Sequence, residues 1–361
     1  MTTEDHFRRA LPHTYFLDAG DPGGLAAYLT AAGRLRGGVA VLGVERAGEG
    51  VMNCTVRVRT SEGTFILKQS RPWAEKYPGV AAPFDRALVE ARFYRLVASS
   101  PTVAGRMPRL LWSDEEARLL ALEDLGAASD FFPLYTGRAT LDDATLYGLV
   151  DYLSALGPLA PADAAAREGL ANDAMRALNH EHLFALPLRA NNGLDLDAYT
   201  GTPGLAAAAA ALREDAAYAA AVAALGERYR TGRGGSLVHG DFYPGSFLQT
   251  AAGVKVIDPE FGFCGDAEFD LGVFAAHLLL AGEAPERAET VLAAYRPAAG
   301  AGYSPALARR YAGVEIMRRL LGVAQIPGLR ADLARKTALL ERSRRLVLEP
   351  EAAFTARGTE G

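Results

Sequence analysis

The sequence contains few cysteines and few lysines, and both shortages narrow what the protein can be. Its two cysteines, Cys54 and Cys264, lie far apart in 361 residues and lack the spacing of metal ligands. They support neither a disulfide framework nor a zinc site, and a reducing cytoplasm fits them. Only four residues are lysines, against 38 lysines and arginines together, so the position of each lysine is informative.

The sequence also lacks a basic cluster, a secretory signal and a membrane-spanning run. The formal net charge is -5 and basic residues are scattered among acidic ones, so nucleic acid is not an expected partner. Residues 1–6 are polar and acidic, without the apolar core of a signal peptide. The longest apolar stretch, about residues 271–282, is interrupted by His277 and falls short of the ~20 residues that cross a bilayer. We expect a cytoplasmic protein without a membrane partner.

Between residues 39 and 125 the pattern is mostly that of short strands. Strands are predicted at Val39–Arg46, Cys54–Arg59, Thr64–Gln69, Arg109–Trp112 and Arg118–Leu122. The trio Ser61-Glu62-Gly63 predicts a hairpin connection between the second and third strands. One helix is predicted over Arg86–Val97, where apolar residues recur at a loosely helical spacing.

After Leu125 helical patterns dominate. They cover about 141–157, 163–183, 204–230, 266–281, 285–296, 304–325 and 329–347, with short strands at Ser236–His239 and Lys255–Asp258. The sequence therefore predicts an α+β fold with two lobes, a β-rich N-terminal lobe over 1–125 and a mainly helical C-terminal lobe over 126–361. Ligands prefer the cleft between such units.

Two acidic clusters each follow a short apolar strand in the second half. Asp241 follows the strand ending at His239, and Asp258 and Glu260 follow the next one. In extended backbone, residues i and i+2 point the same way, so Asp258 and Glu260 are expected on one side, with Pro259 holding the segment extended. Paired carboxylates suit Mg²⁺, which also takes substrate phosphates as ligands. Asp241 is then free to accept a proton from an attacking hydroxyl.

These residues carry a resemblance to a known family. The pattern His239-x-Asp241, with Ser246 five residues further on and then Asp258-x-Glu260, resembles the catalytic and metal loops of the aminoglycoside phosphotransferase and choline kinase superfamily. The nearest likeness is to 5-methylthioribose kinases. The resemblance implies a two-lobed protein-kinase-like fold and an ATP- and Mg²⁺-dependent transfer of phosphate to a small alcohol, with Asp241 catalytic. It also implies metal ligation by Asp258, Glu260 and Ser246.

The resemblance also assigns nucleotide contacts in the first half. Residues 48–53 are similar to the family's nucleotide loop, which nominates Gly48, Gly50 and Asn53. Lys68 is expected to contact the α- and β-phosphates, with Glu90 as its ion-pair partner. The hinge at Glu123 and Leu125 is expected to receive the adenine edge through backbone groups. Each has a plainer interpretation, because two glycines also suit a hairpin turn and a strand lysine commonly faces solvent.

For the acceptor alcohol the resemblance nominates Arg318 and Arg319, with Asp241 and Tyr243 beside them. Twin arginines on a helix face are by themselves typical of a solvated surface. Phe242 and Tyr243 are interpreted as an apolar wall for a thioether group. His239 is expected to support its loop through hydrogen bonds, and Glu260 also fits a solvated side chain.

Other functions remain open at this point. The segment Phe242-Tyr243-Pro244 departs from the family pattern beside the catalytic aspartate, so the acceptor is alternatively an aminoglycoside, choline or a hydroxylated amino acid. A nucleotide-binding pseudokinase is a third interpretation, which Lys68, Asp241 and Asp258 disfavour. A homodimer is compatible with the sequence.

Overall fold

The structure is a computed structural model that describes residues 3–48, 50–299, 302–326, 328–329 and 332–355. The chain divides into two compact units, Met1–Ala127 and Ala128–Gly361. Across these described ranges, no helix is both long enough and apolar enough to span a membrane.

The first unit is built on one antiparallel sheet. Its strands are β1 (Val41–Arg46), β2 (Asn53–Thr60), β3 (Gly63–Ser70), β6 (Leu110–Asp114) and β7 (Leu119–Glu123), in the order β1-β2-β3-β7-β6. Thr60 pairs with Gly63, so Ser61 and Glu62 form the tight turn of the predicted hairpin. Val56, Val58 and Leu67 point from the sheet into a fully buried core.

Helices and a second hairpin complete this unit. They are α1 (Thr3–Ala10), α2 (Pro22–Ala31), β4 (Trp73–Ala74), β5 (Tyr77–Ala81), α3 (Arg86–Val97) and α4 (Pro101–Ala104). The predicted helix over Arg86–Val97 is confirmed at both ends. Sequence reasoning missed α2, although Asp21 accepts a hydrogen bond from the Gly24 amide at its N-terminus and Pro22 follows at once, which is a recognisable start signal.

The second unit is mainly helical. Its helices are α5 (Asp143–Leu156), α6 (Ala164–Glu168), α7 (Asp173–His180), α8 (Leu196–Thr200), α9 (Leu205–Glu214), α10 (Ala216–Thr231), α11 (Glu268–Ala281), α12 (Pro285–Ala294), α13 (Pro305–Leu321) and α14 (Leu333–Leu348). Its strands are β8 (Ser129–Asp130), β9 (Ser236–Val238), β10 (Phe247–Thr250), β11 (Gly253–Val256) and β12 (Phe263–Gly265). They form two small sheets, β11-β10-β8 and β12-β9.

Two predicted helices are each divided in the structure. The helix expected over 204–230 breaks at Asp215, whose carboxylate accepts a hydrogen bond from the Tyr218 amide and caps α10. A short acidic side chain is better suited to a cap than to a helix interior, which is the physical reason for the break. The helix expected over 163–183 is interrupted between α6 and α7, where Asn172 has a left-handed backbone (φ 52°).

Helices α11 and α13 pack unusually closely, and this contact positions the acidic and basic side chains described below. A Cβ atom on Gly272 would lie 2.4 Å from the carbonyl oxygen of Ala308. Any larger residue at 272 would therefore force the two helices apart. The close approach lets His277 on α11 reach Glu315 on α13.

Candidate active site

The loop that carries Asp241 follows β9, which pairs antiparallel with β12 through Val238 and Phe263. Gly240 in this loop has a φ of 83°, and a Cβ atom there would lie 2.1 Å from the carbonyl oxygen of Phe261. Both the backbone conformation and the lack of space require glycine at this position. The loop therefore has one defined path directly before Asp241.

The side chains of Asp270 and His239 hold this loop through hydrogen bonds. The buried carboxylate of Asp270, in the first turn of α11, accepts hydrogen bonds from the amides of His239 (2.6 Å) and Gly240 (2.9 Å). His239 Nε2 donates to the carbonyl oxygen of Ile257 (3.0 Å), and its Nδ1 accepts from the Asp241 amide (3.3 Å). These contacts fix a neutral imidazole protonated at Nε2. The supporting role predicted for His239 is confirmed.

Asp241 itself is partly open to solvent, with 26% of its side chain exposed. Burial raises its pKa to about 6, although Arg318 and Arg319 counteract this effect. Its Oδ1 lies 3.9 Å from Nη2 of Arg319. At neutral pH the carboxylate is mostly ionised and able to accept a proton, which is the state that a general base requires.

The segment with Asp258 and Glu260 differs from the prediction. Asp258 has a left-handed backbone (φ 62°, ψ 54°), and Pro259–Phe261 form a single 3-10 turn. The predicted extended conformation is therefore wrong, and the argument that placed both carboxylates on one side by alternation does not hold. Aspartate tolerates the left-handed region, and proline favours the first position of a helical turn. Such backbone outliers cluster at functional sites.

Glu260 is buried, with 5% exposure, so the alternative of a solvated side chain is wrong. The Asn172 side chain donates to the carbonyl oxygens of Glu260 (2.9 Å) and Gly262 (3.0 Å), which fixes the turn. Within the described part of the chain, no group of three or more His, Cys, Asp or Glu side chains could hold a metal ion. The carboxylate oxygens of Asp258 and Glu260 are ligands that suit Mg²⁺ when substrate phosphates complete the coordination.

Ser246 fastens the two loops together. Its hydroxyl donates to the carbonyl oxygen of Asp241 (2.8 Å), and its own carbonyl accepts from the Ile257 amide (2.9 Å). The side chain is buried, with 3% exposure. Ser246 thus links the loop of Asp241 to the residue before Asp258, and its ligation of a metal stays a prediction.

Arg318 and Arg319 lie in the last turn of α13, and neither is the solvated residue that their pairing alone would suggest. Their side chains are 13% and 6% exposed. Glu315, one turn earlier and fully buried, accepts from Arg318 Nη1 (3.1 Å) and Arg319 Nε (2.6 Å). Burial alone would raise the pKa of Glu315, but the two arginines hold it well below its ordinary value.

The two aromatic residues after Asp241 have different environments. Tyr243 is half-buried, and its ring lies 4.6 Å from the guanidinium carbon of Arg319 in a cation–π contact. Phe242 is fully buried, with its ring stacked on Tyr152 (5.6 Å) and in edge contact with Phe247 (4.7 Å). The interpretation of Phe242 as a wall of the acceptor site is therefore wrong, because this side chain belongs to the core.

In the first unit, Lys68 on β3 and Glu90 on α3 are both buried, and Lys68 Nζ lies 2.9 Å from the Glu90 carboxylate. The predicted ion pair is therefore present. The part that either residue plays toward a nucleotide stays a prediction.

The predicted nucleotide loop lies between β1 and β2. Gly48 has a φ of 71°, which favours glycine, and a Cβ atom on Gly50 would lie 3.3 Å from the carbonyl oxygen of Asn53. Glu49 lies outside the described residues. Asn53 is buried, and its Oδ1 accepts from Nε of Arg86 (3.1 Å), a buried arginine that sequence reasoning missed. Asn53 therefore helps to hold its own loop.

The predicted hinge residues follow β7. Glu123 ends the strand, and its carboxylate accepts from the amide and Nε of Arg109 (3.2 and 3.3 Å). The neighbouring Asp124 is held in a bidentate pair with Arg57 (2.7 and 3.0 Å). Leu125 lies beyond the strand and is half-buried. The side chains at 123 and 124 are thus engaged within the unit, which leaves only backbone groups for the predicted adenine contact.

Residues 43–311 match the model of the phosphotransferase enzyme family named APH. The chain belongs to this family. The predicted resemblance is thus confirmed, and so is the predicted fold class.

Relatives and solved structures agree with this membership. The chain is 29% identical over 249 residues to the methylthioribose kinase of Exiguobacterium sibiricum, covering 66% of this chain and 61% of that protein. It is 27% identical over 269 residues to the methylthioribose kinase of Yersinia enterocolitica, covering 70% of this chain and 64% of that one. The chain therefore spans less than two thirds of the length of these relatives.

Two crystal structures show the likeness of fold. One is a spectinomycin phosphotransferase in complex with ADP and spectinomycin, with a TM-score of 0.53, 13% identity, and coverage of 93% of this chain and 99% of that one. The other is a choline kinase from Cryptosporidium parvum, with a TM-score of 0.50, 11% identity, and coverage of 97% and 98%.

Sequence reasoning assigned no role to three residues that organise the site: Asp270, Asn172 and Glu315. Each is a buried polar side chain that acts on neighbouring backbone or charged groups. Asp270 and Glu315 carried a signal, because each interrupts an otherwise apolar helical segment and a buried carboxylate needs partners. Asn172 carried none that a single sequence reveals.

Proposed function

We propose that the chain is an ATP- and Mg²⁺-dependent kinase that phosphorylates a hydroxyl group of 5-methylthioribose or a closely related sugar. The observation that carries the proposal is the pairing of the ionisable carboxylate of Asp241 with the anchored guanidinium of Arg319, 3.9 Å away. A general base beside a fixed cationic hydrogen-bond donor suits the binding and deprotonation of a polyol that accepts a phosphate. The curated relatives named methylthioribose kinases support this acceptor.

In the proposed reaction, the hydroxyl oxygen of the acceptor attacks the γ-phosphorus of ATP, and Asp241 accepts the proton of that hydroxyl. The bond from the γ-phosphorus to the bridging oxygen breaks, and ADP leaves with that oxygen. Asp258 and Glu260 would hold Mg²⁺, with Ser246 beside them, and the bound ion supplies positive charge that offsets the phosphate charge. His239 and Asp270 keep the loop of Asp241 in place through the hydrogen bonds described above.

The first unit, extending to about residue 125, is proposed to bind the nucleotide. Lys68, oriented by Glu90, would contact the α- and β-phosphates, because an ion pair holds the lysine in one direction. The backbone at Gly48, Gly50 and Asn53 would approach the phosphates, and backbone groups at Glu123 and Leu125 would receive the adenine edge. The second unit, from about residue 126, would supply the catalytic, metal and acceptor residues.

The charge near Asp241 supports a neutral polyol over a cationic acceptor. Arg318 and Arg319 bring two positive charges, which Glu315 and the ionised Asp241 balance, so these four groups have no surplus negative charge to attract a cation. Guanidinium groups donate to sugar hydroxyls in a fork, whereas they repel an ammonium or an aminoglycoside. Tyr243 would then contribute an aromatic face beside the acceptor.

An acceptor screen tests this proposal. The purified protein is mixed with ATP and Mg²⁺ and offered 5-methylthioribose, ribose, choline and spectinomycin in separate reactions, and ADP formation is measured against a reaction without acceptor. Turnover is expected with methylthioribose and only weakly with the cationic compounds. Turnover of choline or spectinomycin without turnover of methylthioribose would leave a kinase with a different acceptor. Absence of ADP formation with every alcohol would support a pseudokinase.

A further inference from the structure

A hydrogen-bonded chain of three buried side chains, Tyr135, His277 and Glu315, ends at Arg319. Tyr135, in the 3-10 turn Phe132–Thr136, has its hydroxyl 2.5 Å from Nδ1 of His277 on α11. His277 Nε2 lies 2.9 Å from Oε1 of Glu315 on α13. His277 and Glu315 are fully buried, and Tyr135 is 2% exposed. Two successive hydrogen bonds thus join three separate elements of the second unit, and the second bond ends at the Glu315 carboxylate.

The direction of each hydrogen bond follows from the carboxylate. Oε1 of Glu315 can only accept from a neighbouring nitrogen, so Nε2 of His277 carries the proton and donates. Nδ1 then has a lone pair and accepts from the Tyr135 hydroxyl. Burial lowers the pKa of His277 to about 4, so the imidazole is neutral at physiological pH. Both hydrogen bonds are therefore donated in the same direction, from Tyr135 to His277 and from His277 to Glu315.

Because the Glu315 carboxylate is itself held, its hydrogen bonds orient both arginines. Its oxygens accept from Arg318 Nη1 at 3.1 Å and from Arg319 Nε at 2.6 Å. Arg319 is held from two further directions, since its Nη1 donates to the carbonyl oxygen of Ala324 (3.3 Å) and its guanidinium lies over the Tyr243 ring. Nη2 remains, and it is the nitrogen that lies 3.9 Å from Asp241.

The Tyr243 ring connects the two sides of this arrangement. Its centroid lies 5.1 Å from that of His277 and 6.2 Å from that of Phe132, which is in edge contact. The same tyrosine thus packs on the histidine of the buried chain and on the guanidinium of Arg319. Because each partner of Arg319 is itself held, the rotamer freedom of this long side chain is lost on folding and not on acceptor binding.

We propose that Glu315, held by His277 and Tyr135, is the positioning residue that fixes Arg318 and Arg319 for contact with the acceptor hydroxyls. This inference rests on the proposed function of the site, but it concerns the acceptor side alone. Glu315 does not touch the reacting atoms. It acts through the guanidinium groups, so its loss should impair acceptor binding and leave ATP binding intact.

Two variants and a matched control test the proposal. Glu315→Gln keeps the shape of the side chain but removes the charge that orients both arginines, and it is expected to raise KM for the acceptor by roughly 10- to 100-fold. Tyr135→Phe removes only the far end of the chain and is expected to raise the same KM by about 3- to 10-fold. In both, KM for ATP should stay within about twofold of wild type.

Tyr218→Phe is the control, because Tyr218 is also a buried tyrosine of the second unit but its hydroxyl bonds to Ser343 (2.7 Å). It should lose stability in the thermal melt without a change in either KM. If Glu315→Gln fails to fold, Tyr135→Phe decides the question. An unchanged acceptor KM in the folded variants, or an equal rise in both KM values, would overturn the proposal.

The acceptor in these assays is whichever alcohol the wild-type protein phosphorylates. Absence of turnover on methylthioribose beside turnover of another alcohol would count against the proposed acceptor only. The comparison of KM values would still decide the role of Glu315. Failure of the positioning role and failure of the proposed acceptor are thus separate results.

Discussion

Asp241 is the residue on which the proposed chemistry depends, and its surroundings explain its suitability. Burial raises its pKa toward neutrality, while two arginines favour the ionised form. The result is a carboxylate basic enough to take a proton and still ionised at physiological pH. His239 and Ser246 both bond to its main chain, so the position of the carboxylate is set by its neighbours.

The Asp241→Asn variant should lower turnover by about 10²- to 10⁴-fold, because an amide of the same size cannot accept the hydroxyl proton. Nucleotide affinity should change little, since the substitution removes no predicted contact with ATP. Single-turnover kinetics and calorimetric titration with ADP measure the two quantities. Normal turnover in the variant would remove Asp241 from the role of base.

Asp258→Ala is expected to abolish the dependence of activity on Mg²⁺, together with nearly all of the activity. Asp142→Ala provides a matched control, because Asp142 caps α5 through the Thr145 amide and lies in the same unit. The control should lose only the stability that the helix cap contributes and keep its Mg²⁺ response. A metal titration of the rate in both variants tests this, and an unaltered Mg²⁺ response in Asp258→Ala would contradict the assignment.

Lys68 offers a prediction in which stability and function separate. Lys68→Met leaves the buried Glu90 carboxylate without its lysine, which should cost about 3–5 kcal/mol of unfolding free energy. The double variant Lys68→Met with Glu90→Gln should recover much of that stability, but KM for ATP should remain high. Denaturant melts and ATP kinetics give the two values. Recovery of ATP affinity along with stability would show that Lys68 has a purely structural role.

For single residues, the sequence predicts which side chains form an ion pair better than it predicts which side chains are buried. Lys68 and Glu90 were paired correctly, because a lysine is rare in this chain and the family places its partner on the next helix. The burial of Arg318 and Arg319 could not be predicted, since it depends on Glu315 being buried and on His277 from another helix. Phe242 was misinterpreted for a similar reason, because its partner Tyr152 is distant in sequence.

At the scale of elements, two unusual backbone positions shape the site. Gly240 and Asp258 both have positive φ, and each precedes or carries a carboxylate that we propose to be functional. The left-handed backbone of Asp258 is not predictable from the sequence, because an apolar strand followed by Asp-Pro suggests continued extension. Left-handed aspartate is a local preference that only the surrounding fold selects.

Gly240→Ala should destabilise the protein more than Gly253→Ala does. Both glycines have positive φ, 83° and 95°, so both variants carry a backbone strain of about 1–2 kcal/mol. Only at 240 would the new Cβ meet the Phe261 carbonyl, whereas at 253 nothing lies within 4 Å. Chemical denaturation of both variants measures the difference. Equal losses would mean that the loop of Asp241 has room to move.

Helix and strand boundaries show which local signals suffice. Apolar residues at a loosely helical spacing predict the helix Arg86–Val97 with both of its ends, and the trio Ser61-Glu62-Gly63 predicts the connection between β2 and β3. Asp215 divides a predicted helix through its capping bond, which alanine-rich flanks conceal. Strands β8, β10 and β12 were missed because strands of two to four residues leave no period to detect.

At the scale of the whole molecule, buried titratable groups make stability depend on pH. His277 has a pKa near 4 in the folded state, below its ordinary value of 6.5, because burial disfavours the cation. Its contribution to stability is complete above pH 6.5 and is lost as the pH falls toward 4, since the unfolded chain binds the proton first. Asp270 acts in the opposite direction between about pH 4 and 7, because burial raises its pKa to about 7.

Comparison of wild type with His277→Gln separates these opposing effects. The stability difference between the two proteins should shrink by about 2 kcal/mol from pH 7 to pH 5, because only the wild type loses the histidine contribution. Urea denaturation at the two pH values gives the difference. A stability gap that is constant with pH would show that His277 is protonated as easily in the folded state as in the unfolded one.

The α+β class, the family and the succession of loops could be predicted because they depend on order along the chain. The hydrogen bonds that surround Arg318 and Arg319 could not, because they form where α11, α13 and the turn near Tyr135 meet. These two contacts join residues 142 and 38 positions apart, which a single sequence does not relate.

Identification of the phosphorylated product is the sharpest test of the proposed reaction. Wild-type protein and Asp241→Asn are incubated with ATP, Mg²⁺ and 5-methylthioribose, and phosphorus NMR follows the γ-phosphate. The wild type should form a new sugar phosphomonoester in step with ADP, and the variant should form almost none. Release of inorganic phosphate in place of a phosphomonoester, or equal product from both proteins, would rule out Asp241-dependent phosphorylation of the sugar.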